Sequence, residues 1–308
     1  MQGTVDGFSY GLVTPVASFL MACLGGALGL RCTTRSLRHR DTFKAGWLLL
    51  GATSIGTGIW TMHFIAMMGF SVQQAPVDYD RPITFASLGV AILMVGIGIL
   101  IVGYRGATAL TLVTGGTITG LGIATMHYLG MAGMRLHGRI EYDTATVALS
   151  VVIAVVAATT ALWAAVSVHG FLASLGASLV MGVAVSGMHY TAMAAVSVHL
   201  NGAAAPATAT APAASLLLPM LIGPAVFLIL AAVVVMFDPL LVMGDPEWRR
   251  TPVRAVHRPG VPAPRHVPTH YGPTHYGPTH YGVPAGRPAR RATRRTAAVH
   301  GVHRSQDW

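Results

Sequence analysis

Met188-His189-Tyr190-Thr191-Ala192-Met193 is the third writing of one pattern, after Met62-His63-Phe64-Ile65-Ala66-Met67 and Met126-His127-Tyr128-Leu129-Gly130-Met131. Aligned on the first Met, each copy has His next, an aromatic after it, and Met four residues beyond the His. A Gly stands six positions before the first Met, at Gly56, Gly120 and Gly182. Every copy lies inside a long apolar run, and the three histidines are the only strongly ionisable side chains in any such run. An imidazole in hydrocarbon is costly and marks a candidate functional site. Three of them in register are hard to ascribe to packing alone.

The runs themselves decide the fold class. Of the 308 residues 53% are hydrophobic and only 10% charged, with a mean hydropathy of +0.59, whereas a soluble domain carries about 25% charged residues. About 20 apolar residues span a bilayer as a helix. Seven windows qualify: 10–30, 46–69, 83–103, 108–134, 145–167, 171–197 and 216–237. Several are rich in Gly and Ala, which suits close helix packing in lipid. Two cysteines, Cys23 and Cys32, form neither a disulfide framework nor a CxxC metal pair. Asp6, with no basic residue before the first run, does not read as a cleavable signal peptide.

Basic residues predict the orientation. Arg31, Arg35, Arg38, Arg40 and Lys44 share the first connection, Arg105 lies in the third, and eleven Arg follow residue 237, so 17 of the 20 basic residues fall on one side. Opposite them stand Arg81, Arg135 and Arg139 beside Asp6, Asp78, Asp80, Glu141 and Asp143. The amino end is therefore expected outside and the carboxyl end inside. The first Met of the motif recurs after 64 and then 62 residues, two crossings each time, so all three copies reach the same face. The expected architecture is an all-α membrane domain over residues 1–244: three parallel helix-hairpin repeats and one closing helix. Each His is expected roughly 5–10 Å below the outer interface, from a rise of about 1.5 Å per residue.

Residues 245–308 are rich in Pro, Arg and His, cannot bury a core, and are expected to form a disordered cytoplasmic tail. The tail repeats Pro-Thr-His-Tyr-Gly from Pro268, Pro273 and Pro278. That tract reads as low complexity, with metal or partner binding as the sharper alternative. The Arg-rich end, Arg287 to Arg295 and Arg304, fits attraction to anionic lipid head groups. Nucleic-acid binding is not favoured, since no folded module supports it. His39, His137, His169 and His199 fall at helix ends and are expected to be solvated.

Helix geometry puts each His on one face with the following Met: His63 with Met67, His127 with Met131, His189 with Met193. The preceding Met62, Met126 and Met188 lie about 100° round the helix. Three converging faces would supply three imidazoles and at least three thioethers. The bland reading is a hydrogen-bonded packing His with Met filling gaps; the shared register weighs against it. Imidazole with thioether suits copper, Cu(I) above all, and the absence of Asp and Glu from the spans disfavours Mg, Ca and Mn. Copper near the outer face could bind a small diatomic gas.

The thrice-repeated Met-His-[Tyr/Phe] pattern on alternate helices resembles the MHYT domain, over about residues 10–240. The resemblance implies a bacterial inner-membrane sensor module, not an enzyme, with a copper site at the outer face and sensing of oxygen, carbon monoxide or nitric oxide. By resemblance the ligands fall on Met62, His63, Met67, Met126, His127, Met131, Met188, His189 and Met193. Phe64-Ile65 and Leu129 depart from the Tyr-Thr of the third copy, which puts those positions in doubt as ligands. Family members often carry a cyclic-dinucleotide synthase or phosphodiesterase after the bundle; the tail here is too short and polar for one, so a stand-alone form signalling through an unknown partner is expected. Two competitors remain open at this level: a copper transporter or channel, and a membrane haem protein held by facing histidines.

The charge asymmetry makes a direct prediction. A reporter active only outside the membrane should work when fused at Ala75 or Ala205 and fail at Val283; the reverse pattern would overturn the placement of the motif at the outer face.

Overall fold

A computed structural model of the chain describes residues 5–6, 10–38, 44–72, 77–136, 138–168, 170–200 and 213–237. The tail with its repeats, and His39, His137 and His169, lie outside them. Seven helices are long and apolar enough to cross a membrane: α1 (Val13–Arg38), α2 (Lys44–Met68), α3 (Arg81–Arg105), α4 (Ala109–Ala132), α5 (Thr144–Ser167), α6 (Phe171–Ala194) and α7 (Ala213–Met236). At about 1.5 Å per residue, helices of 24 to 26 residues exceed the roughly 30 Å hydrocarbon layer. The windows expected from hydropathy are thus all present, with shifted ends. The first helix runs on to Arg38, because arginines near a membrane boundary extend their charged heads toward water while the backbone stays helical.

Consecutive helices pack in a closed circle: α1 on α2, then α3, α4, α5 and α6, which returns to α1. The seventh helix lies against α2 and α1, with Leu228, Ala231 and Val235 joining Leu28 and Cys32 in a second core cluster. Glycines set the spacing. A Cβ built on Gly58 would stand 2.6 Å from the Gly25 Cα, and one on Gly25 would stand 2.7 Å from the Gly58 Cα, so α1 and α2 cross backbone to backbone. Two of the three recurrent glycines of the motif do the same between helices, and the third meets side chains. Gly56 faces the Ile92 backbone on α3 at 2.9 Å, Gly120 the Val155 Cα on α5 at 2.5 Å, and Gly182 meets Cys23 and Phe19 on α1.

The hydropathy windows did not separate out the short strands that close each hairpin. Strand β1 (Val5–Asp6) pairs antiparallel with β2 (Ser71–Val72), β3 (Asp78–Tyr79) with β4 (Met134–Arg135), and β5 (Gly138–Tyr142) with β6 (Val196–Leu200). Each repeat is therefore strand, helix, helix, strand, with its two ends tied together. The tie continues into the helices. The Asp80 amide donates to the Gly133 carbonyl at 2.8 Å, and the Asp143 amide to the Ala195 carbonyl at 2.9 Å. The same aspartates cap α3 and α5 through their side chains, which accept from the Ile83 and Thr146 amides. The Ile83 amide and then Arg135 hold the Asp80 carboxyl below the usual range, and the Thr146 hydroxyl and then its amide do the same for Asp143. The sixth window ends at Ala194 rather than 197, since β6 takes the chain from Val196. His199 sits on that strand 3.4 Å from Glu141, a partnered residue rather than a merely solvated one.

The close crossing predicts an asymmetry among glycines. Gly58→Ala should cost roughly 1–3 kcal/mol, because backbone atoms cannot move aside, whereas Gly89→Ala and Gly176→Ala, which meet open space, should gain about 0.5–1 kcal/mol. Thermal unfolding in detergent checks both signs.

Candidate metal centre

The three histidines come from the three even-numbered helices of the circle. Each stands five residues before the last residue of its helix: His63 before Met68, His127 before Ala132, His189 before Ala194. They are therefore at one height, about 7.5 Å inside the helix ends, and the strand ties keep those ends level. All three rings are buried.

Their Nδ1 atoms face one another. His63 and His189 are 3.1 Å apart, His127 and His63 3.1 Å, His189 and His127 3.4 Å. The rings stand at 76° to 79° to each other, like blades of a propeller. Hydrogen bonding alone satisfies such a triangle badly. Each Nδ1 carries either a proton or a lone pair, never both. With three nitrogens and three edges, at least one edge must set proton against proton or lone pair against lone pair. A cation at the centre removes the conflict by taking all three lone pairs. A triangle with these sides has its centre about 1.9 Å from each corner, near the roughly 2.0–2.1 Å of a zinc–imidazole bond.

The surroundings limit the ion. No Asp or Glu lies in α2, α4 or α6, so three neutral imidazoles bring no countercharge. The cost of placing an ion in a low-dielectric interior rises with the square of its charge, so a monovalent soft ion is favoured over a divalent one. A porphyrin between any two of these rings would have to displace the third, which weighs against haem. Met62, Met67, Met126, Met131 and Met188 are buried in the same core, and Met193 is half-buried against it. The structure thus brings the three imidazoles together directly; the thioethers stand on the same helices around them.

Several supporting residues escaped the sequence reading. Ser18, Ser87 and Ser150 are fully buried on α1, α3 and α5. Each hydroxyl donates to the carbonyl three residues back: Pro15, Thr84 and Val147. Their oxygens can then accept from the next helix. The Tyr128 hydroxyl meets Ser150 at 2.8 Å, and the Tyr190 hydroxyl bonds Ser18. The first copy has Phe64 and no hydroxyl to give; there the Trp60 indole donates to Ser87 at 3.0 Å and to the Thr84 carbonyl at 3.1 Å. The tyrosines after His127 and His189 are thereby held by a serine of a neighbouring repeat, and beside His63 the corresponding serine is taken by Trp60. A second small motif accompanies it: Tyr79-Asp80 and Tyr142-Asp143. Phe64 and Tyr79 meet edge to face at 6.2 Å, and Tyr128 and Tyr142 at 5.8 Å. The recurrence of Ser and Tyr-Asp at intervals close to that of His was the available signal.

One departure within the motif has a steric reason. Gly130 stands where the other copies have Ala66 and Ala192, and a Cβ on it would lie 2.7 Å from His63 Nε2 and 3.2 Å from Phe64 Cζ. The Nε2 atoms of His63 and His127 have no partner among the described residues, although a metal-bound imidazole ordinarily donates its second N–H to an acceptor.

The sequence family MHYT, described as a bacterial signalling protein N terminal repeat, matches residues 56–115 and 120–178. The matched repeats start at Gly56 and Gly120, the glycines of the first two copies. The chain is 37% identical over 198 residues to the bifunctional diguanylate cyclase/cyclic di-GMP phosphodiesterase MucR of Pseudomonas aeruginosa, covering 63% of this chain and 29% of that protein. It is 36% identical over 209 residues to the cyclic di-GMP phosphodiesterase NbdA of the same organism, covering 63% and 26%. With the signaling protein YkoW of Bacillus subtilis it shares 30% identity over 190 residues, covering 59% and 23%. The chain spans less than a third of the length of these relatives. No solved structure matches it.

The Gly130 contact yields a test. Gly130→Ala should turn the His63 ring and lower Cu(I) affinity by about 10- to 100-fold, the range for a residue that orients a ligand. Gly187→Ala, two residues before His189 and facing open space, should leave affinity unchanged. Competition titration against a Cu(I) chelator measures both.

Proposed function

Residues 56–115 and 120–178 match the MHYT repeat of bacterial signalling proteins, and from that premise we propose that the membrane domain is a sensor of this kind holding one copper ion, as Cu(I), between His63, His127 and His189. The Nδ1 triangle is the observation that carries the reading. Met67, Met131 and Met193, one turn beyond the histidines toward the helix ends, are the thioethers best placed to add to the imidazoles; Met62, Met126 and Met188 are a second set. A copper ion there supplies a redox-active centre able to take a diatomic ligand such as oxygen, carbon monoxide or nitric oxide.

The protein's own part is to hold the donors. The strand ties keep the three rings at one height, and the serine contacts brace Tyr128 and Tyr190 beside two of them. A change at the ion alters the preferred distance between three rings on three helices, and hence the packing of the circle. That movement is the output, passed to a partner or to the cytoplasmic tail. Cyclic-dinucleotide synthesis and breakdown are activities named for two relatives; in this chain we assign the membrane domain a sensing role and no catalysis.

A transport reading is less well supported. A path for ions needs polar groups at successive depths, and on the inner side of the triad the residues one turn back are Ile59, Ile123 and Val185, lining an almost wholly hydrocarbon space.

Copper titration of the purified chain in both oxidation states tests the proposal. His63→Ala, His127→Ala and His189→Ala should each weaken Cu(I) binding about a hundredfold, roughly 2.7 kcal/mol. Any two combined should cost much less than their sum, because ligands of one centre act together. Met67→Leu, Met131→Leu and Met193→Leu preserve volume and should weaken Cu(I) more than Cu(II) while sparing the fold. Additive His effects, with no copper retained by the unmodified chain, would sink the shared site.

A further inference from the structure

Directly inward of the triad, the circle encloses a cavity of about 30 Å³ walled by all six of its helices. Its position follows from helix geometry. Ile59, Ile123 and Val185 line it, each four residues before a triad His, and Ile55, Thr119 and Met181 line it eight residues before. The cavity therefore starts about one helical turn, some 5 Å, beneath the Nδ1 triangle and on the same axis. Its wall is hydrocarbon almost throughout. Thr33 and Thr119 are the hydroxyl-bearing wall residues; their Oγ1 atoms have no hydrogen-bond partner among the described residues but present almost no surface to the space.

Water needs two to four polar partners to enter such a space, and apolar cavities of this kind stay dry and accept apolar guests. The volume is twice or more the minimum that holds a water, so one molecule of two or three heavy atoms fits. A second feature adjoins it. Between α5 and α6 lies a groove of about 530 Å³, lined by residues such as Val152, Val156, Trp163 and Val180, whose side chains are exposed on the apolar outer surface. Groove and cavity share three wall residues: Ala157, Ala161 and Met181. Two are too small to make a thick barrier. The third is an unbranched thioether that changes rotamer at little cost, and its Cε rests in the notch left by Gly26 on α1.

We propose that the axial cavity is a binding site for one small apolar molecule, of the size of a diatomic gas, and that the molecule enters it from the bilayer through the α5–α6 groove past Met181. Such molecules dissolve better in hydrocarbon than in water, so the groove meets them where they are concentrated. A guest in the cavity lies on the inner side of the triad without having crossed an aqueous phase. Its relevance to a copper ion rests on the function proposed above; the existence of the cavity site does not.

Xenon is the probe, measured by saturation-transfer 129Xe NMR on the metal-free full chain in lipid nanodiscs, with empty nanodiscs as reference. One saturable xenon site per chain is expected. Ala158→Leu, which points a larger side chain into the cavity wall, should lower xenon affinity at least about tenfold. Val185→Ile adds a single methyl, is the safer variant for folding, and should lower it about two- to fivefold. Ala161→Leu, on the shared wall, should slow xenon exchange at least threefold. Absence of a saturable signal, or a signal undiminished by both cavity-filling variants, overturns the cavity site; unchanged exchange in Ala161→Leu overturns the route. Cu(I) affinity is measured on the same samples. Xenon binding without copper binding supports the cavity and refutes the copper reading; copper binding without xenon binding does the opposite.

Discussion

Three buried imidazoles meeting nitrogen to nitrogen between apolar helices is the constraint on which the rest of this structure depends. Contacts of 3.1 to 3.4 Å tolerate little error in helix position, since a helix displaced outward by about one ångström would lengthen two edges of the triangle by nearly as much. The chain controls both directions of error. Sideways, glycines at the crossings from α1–α2 through α4–α5 replace side chains with backbone contact, so that neither helix can approach further or drift outward without losing packing. Along the axis, a strand pair and a backbone hydrogen bond join the start of each odd helix to the end of the following even one in the second and third repeats. The histidines sit five residues from those fixed ends. Precision at the centre is thus supplied by the rim.

The repeats are not identical, and their differences are correlated. Phe64 lacks the hydroxyl that Tyr128 and Tyr190 use, yet Ser87 still has a donor because Trp60, one turn earlier on the same helix, reaches it. Gly130 removes a methyl group that the other copies keep, and the space is taken by the ring of His63 from the first copy. Both departures involve the ring at position 63 or its immediate neighbours, so the first copy is the one that breaks the threefold pattern. The seventh helix breaks it too, lying against α1 and α2 and leaving α5 and α6 with the more exposed flanks. An approximate threefold axis with one covered and one open side gives the apolar groove its place.

Much of this was legible before any coordinates. Seven runs of sufficient length, the 64- and 62-residue intervals and the common depth of His63, His127 and His189 follow from counting, because hydrophobic thickness and helical rise are fixed quantities. The strand pairs were not, since two-residue strands such as Ser71–Val72 leave no alternation to detect and owe their pairing to ends the helices bring together. Only Val196–Leu200, with Val at alternate positions, carried a visible sign, and its apolar residues blended into the preceding run. The serines escaped for another reason: Ser18, Ser87 and Ser150 read as ordinary small residues in apolar helices until their partners are known. Ser87 was further hidden by a partner, Trp60, outside the motif.

The chemistry at the centre follows from what the circle leaves out. With no carboxylate in α2, α4 or α6, a divalent ion would add two uncompensated charges to a hydrocarbon interior, and a soft monovalent ion adds one. The same absence of polar groups continues inward, where isoleucine and valine take the positions one turn beneath the rings. A charged species leaving the triad in that direction would lose its imidazole ligands and gain no others, whereas an uncharged apolar one would lose nothing. On the proposed function, solvation alone would separate two classes of visitor: an ion held at the triad, and a small apolar molecule in the hydrocarbon space beneath it.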